Sequence, residues 1–208
     1  MTVRCRAFLI LLAMPTLGAM PKVAPAASPH ASAALVRRVG SRGRAEVSVR
    51  YVVHGASGGA RAVHGTLALE PPALARIDIP ASGEKLVARS DGGEWLQPAT
   101  KQMIMFRAQQ AAPALRWWRV LLDSDRNARE RTSGTGHYVL TLLTERGVPE
   151  DSAEVWLDAR GLPVRLSVPA GDPGAAEYRL GGWRFLRARG AKAFRLALPA
   201  GYESVEWP

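Results

Sequence analysis

A mainly β chain with a helical lid, built as a curved, incomplete antiparallel β-barrel, is what this sequence predicts, and three observations predict it. Short runs with period-2 alternation of apolar and polar residues recur through most of the 208 residues. They are separated by turn signals such as Asp91-Gly92, Asp158-Ala159-Arg160-Gly161 and Gly171-Asp172-Pro173-Gly174. Only one segment, residues 111–125, spaces its large apolar residues at helical intervals. Strands at such regular spacing indicate an antiparallel sheet that curls or closes.

The chain begins with a targeting signal. Arg4 and Arg6 precede an apolar run from position 7 to 19 that Pro15 interrupts. That run is shorter than the roughly 20 apolar residues needed to span a bilayer, so residues 1–26 read as a cleavable secretory signal peptide, with Ala24-Pro25-Ala26 as a small-x-small cleavage site and Gly18-Ala19-Met20 as the other position open to cleavage. The only cysteine, Cys5, lies ahead of the apolar run. The exported chain therefore has no thiol for a disulfide, a metal or a nucleophile. Loss of Arg4, Arg6 and Lys22 lowers the formal net charge from +10 to +7, an excess suited to an anionic partner such as acidic lipid headgroups. Nucleic acid is not expected, because the basic residues are scattered and the chain is exported.

Residues 27–43, rich in Ala, Pro and Ser, read as a flexible or weakly helical segment outside the core. A single domain, residues 44–208, follows. Residues 44–54 alternate Val47, Val49, Tyr51 and Val53 against Glu46, Ser48 and Arg50, as a half-buried strand does, and residues 61–69 return as its partner. Residues 65–98 form a β-meander whose strands end at Pro71-Pro72 and Pro80 and whose last hairpin turns at Asp91-Gly92. Residues 101–107 are apolar on both faces, as a covered strand would be. The helix of residues 111–125 carries Leu115, Trp117, Trp118, Leu121 and Leu122, more apolar surface than one narrow face hides. Residues 126–136 read as a loop, and strands are expected at 137–143, 153–157, 163–168, 177–185 and 192–198.

The sequence contains no G-x-S-x-G elbow, H-E-x-x-H pair, P-loop or Rossmann glycine pattern. His54 and His64 share a Val-His-Gly context, but a zinc site needs further ligands and the hairpin register decides whether the two approach. His137 with Asp123 or Asp125 suggests a triad only by proximity in the sequence, and triads are defined by geometry. No catalytic residue, cofactor or metal is assigned. Leu67, Leu69, Ile77, Ile79, Trp95, Met103, Met105 and Trp118 are instead the candidate lining of an apolar cavity between helix and sheet.

The order of these signals resembles the periplasmic outer-membrane lipoprotein carriers of the LolA type. The matching residues are His64-Gly65-Thr66-Leu67 entering a strand that ends at Pro71-Pro72, then Arg76-Ile77-Asp78-Ile79-Pro80, and Ser90-Asp91-Gly92-Gly93-Glu94-Trp95 followed by Lys101-Gln102-Met103. A Phe-x-x-x-x-Pro-x-Gly pattern from Phe194 to Gly201 resembles the family's closing strand. The resemblance covers most of residues 44–206 and implies a monomeric, non-enzymatic periplasmic chaperone. Its implied partners are an acylated lipoprotein or lipid, inner- and outer-membrane envelope proteins, and transiently a membrane surface. Where the carriers place an arginine before the proline that follows the first meander strand, this chain has Glu70-Pro71-Pro72, so that arginine's role does not transfer. An envelope interaction module on the same fold, or a hydrolase with dispersed catalytic residues, is the alternative.

Overall fold

The computed structural model describes residues 31–54, 60–107, 113–122, 128–168 and 176–207. The predicted signal peptide, the turn after His54 and the two acidic residues considered with His137 lie outside these. Among the described residues, twelve strands form one sheet: β1 (Gly43–His54), β2 (Ala60–Glu70), β3 (Leu74–Ile79), β4 (Glu84–Arg89), β5 (Gly92–Gln97), β6 (Gln102–Arg107), β7 (Ala128–Gly134), β8 (His137–Leu143), β9 (Pro149–Leu157), β10 (Pro163–Val168), β11 (Ala176–Arg187) and β12 (Glu203–Glu206). Their spatial order is β12-β6-β5-β4-β3-β2-β1-β11-β10-β9-β8-β7. The long strands β1 and β11 pair at the centre, and β12 and β7 remain as unjoined edges. The barrel is thus incomplete. Every neighbouring pair is antiparallel except β12 with β6, where the chain returns parallel.

Alternation decides the two faces. Cross-strand partners run Val47↔Leu67↔Ile77↔Leu86↔Trp95↔Ile104 from β1 to β6, and in the other half Val49↔Leu180 and Tyr178↔Leu166↔Val155↔Tyr138. Most of these residues belong to one continuous apolar cluster. We call this the inner face. It is covered by α1 (Ala33–Arg42) and α2 (Pro113–Leu122), which meet one another and touch β1, β11, β2 and β3.

Helix α1 corrects the expectation that residues 27–43 lie outside the core. Leu35 and Val39, four residues apart on one helical stripe, are fully buried in the central cluster. Two apolar anchors in an Ala-, Arg- and Ser-rich stretch give only a weak periodic signal in the sequence. Gly43 ends α1 in the left-handed region (φ 97°), donating its N–H to the Val39 carbonyl, a glycine helix stop.

Two further elements differ from expectation. Residues 126–136 were expected as a loop, yet β7 pairs Arg129, Glu130 and Arg131 with Thr141, Leu140 and Val139. Its sequence, ARERTSG, is exposed almost throughout, as suits a charged edge strand. The strand expected at 192–198 is a 3-10 turn, Ala191–Phe194, followed by extended chain, and the closing strand is β12 instead.

This C-terminal segment crosses the outer face of the sheet. Phe194 is buried on that side among β3 and β4. Four outward residues on successive strands grip the passing backbone. Glu70 (β2) accepts the Arg189 and Gly190 N–H groups at 2.8 and 3.0 Å. Arg76 (β3) donates to the Ala193 carbonyl at 3.0 Å, and Arg89 (β4) to the Phe194 carbonyl at 3.2 Å. Glu94 (β5) accepts the Leu196 N–H at 2.5 Å and pairs with Arg89 at 2.8 Å.

Gly93 in β5 is required by close approach: a Cβ there would meet the Val87 carbonyl oxygen and the Phe106 ring. Gly93→Ala should therefore cost about 1–3 kcal/mol through overpacking. Gly181→Ala, where a Cβ has nothing within 4 Å, should be near neutral, and urea denaturation of the two variants checks the contrast.

Candidate functional site

The inner face builds the site. Leu67, Leu69, Ile77 and Ile79, projecting from β2 and β3, lie in the same cluster as Trp118 of α2, so five of the eight expected lining residues come together. The tryptophans of α2 are its largest contribution: Trp117 and Trp118 are both 0% exposed. Trp118 meets Tyr178 edge-on, ring centroids 6.4 Å apart at 85°. Tyr178 in turn stacks on Tyr51 at 5.6 Å. Burial, with the neighbouring Tyr51 phenol second, pushes the Tyr178 hydroxyl well above the ordinary phenol range, so it stays neutral.

Trp95 lies apart from these five, at the β5–β6 end of the same face. It is half-buried, donates its indole N–H to Glu84 at 3.2 Å, and stacks on Trp207 at 6.4 Å. Trp207 is 46% exposed, and Val205 beside it is also exposed. The apolar inner face thus runs out to solvent at this end.

Met103 and Met105 do not line the interior, which corrects the expectation. Their cross-strand partners are Leu96 and Glu94, whereas the inward Trp95 partners Ile104. The two methionines therefore point to the outer face, and the register that assigns Ile104 inward is what a two-sided apolar strand hides. The inward residues that the sequence reading passed over are Leu35 and Val39 of α1, together with Leu86, Ile104 and Trp207. Strict alternation out from Trp95 identifies Leu86 and Ile104; nothing local identifies Trp207, which arrives through the parallel return of β12.

Two polar features belong to this face. The indole N–H groups of Trp117 and Trp118 are buried with no acceptor among the described residues, an unmet demand that is uncommon in native interiors. Arg116, on the rim of α2, pairs with Asp151 and reaches Glu150 at 3.6 Å, which ties the helix to the start of β9.

The residues weighed for chemistry do not assemble. The β1–β2 register sets His64 opposite Arg50, four residues along β1 from His54, or about 13 Å at strand spacing. His137 lies on the outer face, bonded to Glu154 at 2.9 Å and stacked on Trp156 at 4.4 Å. Among the described residues, no three His, Cys, Asp or Glu side chains group to hold a metal ion.

No protein-family model matches the chain, and no curated protein sequence matches it. Its structure is similar to a LolA superfamily protein from Nitrosomonas europaea at 13% identity and TM-score 0.47, covering 81% of this chain and 99% of that one. It is also similar to a DUF1329 family protein from Desulfovibrio piger, at 11% identity, TM-score 0.49 and coverages of 79% and 95%. An outer-membrane lipoprotein-sorting protein domain from Vibrio parahaemolyticus is similar at 10% identity, TM-score 0.43 and coverages of 78% and 95%.

Proposed function

We propose that the protein is a non-enzymatic periplasmic carrier or binding protein that holds the acyl chain of a lipoprotein or lipid against the inner face of the sheet. One observation carries this reading. The apolar cluster beneath the helices reaches Leu86 at its edge, and beside Leu86 in the cross-strand row stands Trp95, stacked on the part-exposed Trp207, which gives an alkyl chain a place to enter. Burial of the chain contributes about 0.8 kcal/mol per methylene, enough for tight binding from apolar contact alone. The unaccepted indole N–H groups of Trp117 and Trp118 supply donors for the ester or amide carbonyl that joins an acyl chain to its headgroup. The resemblance of the sequence to lipoprotein carriers supports the same reading. Native mass spectrometry of protein purified from the envelope should show co-purifying acyl species, and a fluorescent fatty acid should bind. Repeated absence of both overturns the proposal.

Entry requires α2 to lift, because its tryptophans fill the space that a chain would occupy. The Arg116–Asp151 pair opposes that movement. Asp151→Asn should raise the rate of fluorescent fatty-acid uptake several-fold. Its cost in stability should stay below about 1 kcal/mol, since the pair is partly solvated. An unchanged uptake rate in stopped-flow fluorescence removes α2 from the entry route.

A second reading has its own observation. Complete burial of Trp117, Trp118, Leu115 and Leu121 is also what a finished core looks like, and it favours an envelope interaction module that binds a protein through the outside of the sheet. A stable cross-linked partner together with no acyl uptake selects this reading.

A further inference from the structure

The outer face carries a feature that acyl binding does not use. One residue from each of six adjacent strands forms a single cross-strand row: His64 (β2), Arg50 (β1), Arg179 (β11), Arg165 (β10), Trp156 (β9) and His137 (β8). Three arginines therefore stand side by side on neighbouring strands, across about 10 Å at the usual strand spacing. Like charges directly opposite one another destabilise a sheet, and here they are only partly offset. Glu177 bonds both Arg179 and Arg165, at 2.7 and 2.8 Å; those bonds, Arg179's first, hold its carboxyl below the usual range and so ionised. Arg50 has no carboxylate partner among the described residues. Arg165 also lies over the Trp156 ring at 4.2 Å, with His137 stacked on the same indole. Beside the row, Ser48, Arg50, His64, Gly65, Arg179 and Gly181 line a shallow depression of about 360 Å³, open because Gly181 has no side chain to fill it.

We infer that this row, centred on Arg50 and Arg179, is the surface through which the protein rests on the anionic phospholipid headgroups of a bilayer. Charge complementarity selects the partner: a cationic strip that Glu177 offsets only in part, on a chain whose exported form carries +7, suits a dense layer of phosphates. The arginines favour a layer over one fixed anion, because the Arg179 and Arg165 side chains are 63% and 43% exposed and no buried group holds them in a single geometry. Trp156, half-buried between two cationic or polar neighbours, has the amphipathic setting of aromatics at membrane interfaces. The strip occupies the face opposite the proposed acyl site, so headgroup contact leaves the inner face free.

Vesicle flotation tests this with processed protein purified from the cell envelope. The protein should float with phosphatidylglycerol-containing vesicles and not with pure phosphatidylcholine at about 50 mM NaCl, and should be released at about 500 mM, where the Debye length falls below strand spacing. Arg50→Gln with Arg179→Gln should weaken partitioning about 30-fold, at about fivefold per arginine. Arg37→Gln with Arg146→Gln, equal in charge but placed on α1 and the β8–β9 turn, should change it far less. Equal losses in the two double variants overturn the inference, as does flotation that survives high salt. Displacement by inorganic phosphate at constant ionic strength would assign the row to a single-anion site, and binding to an acidic envelope protein without flotation would assign it to a protein partner; either result overturns it. Fluorescent fatty-acid uptake should be unchanged in the Arg50/Arg179 variant, so loss of flotation is distinguishable from failure of the carrier reading.

Discussion

Glu70→Ala is expected to destabilise the protein by about 3–5 kcal/mol, read as a lower urea midpoint at unchanged slope, or as a fall of about 10 °C in Tm for a chain of this size. Glu70 is 2% exposed. Its two carboxylate oxygens each accept a backbone N–H, from Arg189 and Gly190, where the chain leaves β11 to cross the outer face. Hydrogen bonds to a charged group are worth about 1.5–3 kcal/mol each, and the stranded donors carry their own desolvation cost. Arg44, buried with its guanidinium 3.9 Å from Glu70, keeps Glu46 as a partner, so the loss stays in the middle of that range. Glu70→Gln, with one acceptor oxygen, should fall between wild type and alanine. Glu70→Arg makes the sharper test, since it installs the residue type that lipoprotein carriers place before their proline. It should not reproduce that arginine's role, because a second buried cation beside Arg44 disrupts the crossing. Hydrogen exchange should show residues 189–206 losing protection before the inner core in all three variants. An unchanged midpoint in Glu70→Ala would mean that Phe194 and Glu94 hold the segment without it.

This dual use of Glu70 also shows how much of the fold was legible in the sequence. The central strands were readable because each buries one face, so alternation through Val47, Val49 and Tyr51, or Ala75, Ile77 and Ile79, leaves a clear period. The Asp91-Gly92 hairpin was readable because its turn chemistry is local: β4 and β5 pair Arg89 with Gly92 around it. What escaped depends on partners far along the chain. Leu35 and Val39 are buried only because the curved sheet provides a hollow for α1. Strand β7 carries almost no apolar signal, because as an edge it buries little. Met103 and Met105 were ambiguous because β6 is apolar on both faces, with Met103 and Met105 on one and Ile104 and Phe106 on the other. Glu70 was visible as a departure from the carriers' pattern, yet its purpose required Arg189, 119 positions away.

Trp118→Ala is the second large effect, and it probes stability and the proposed function together. The side chain is wholly buried against Tyr178 and the β2–β3 lining, so truncation should cost about 3–5 kcal/mol, as loss of large aromatic core residues does. The cavity it leaves lies along the proposed path of the acyl chain. A saturating long-chain fatty acid should therefore raise the Tm of Trp118→Ala by more than that of wild type, since a ligand that binds only the folded state stabilises in proportion to its occupancy and here also refills lost contacts. Trp118→Phe separates packing from polarity. It retains most of the ring volume and removes an indole N–H that has no acceptor among the described residues, so its loss of stability without ligand should be well below that of alanine. With ligand the comparison reverses its meaning. If the indole N–H donates to an acyl carbonyl, Trp118→Phe should bind the fatty acid several-fold more weakly than wild type while remaining nearly as stable. Equal affinity in wild type and Trp118→Phe would remove the indole from the site. No ligand-induced rise in Tm for either wild type or Trp118→Ala would show that α2 is the permanent filling of a closed core and hand the function to the outer face.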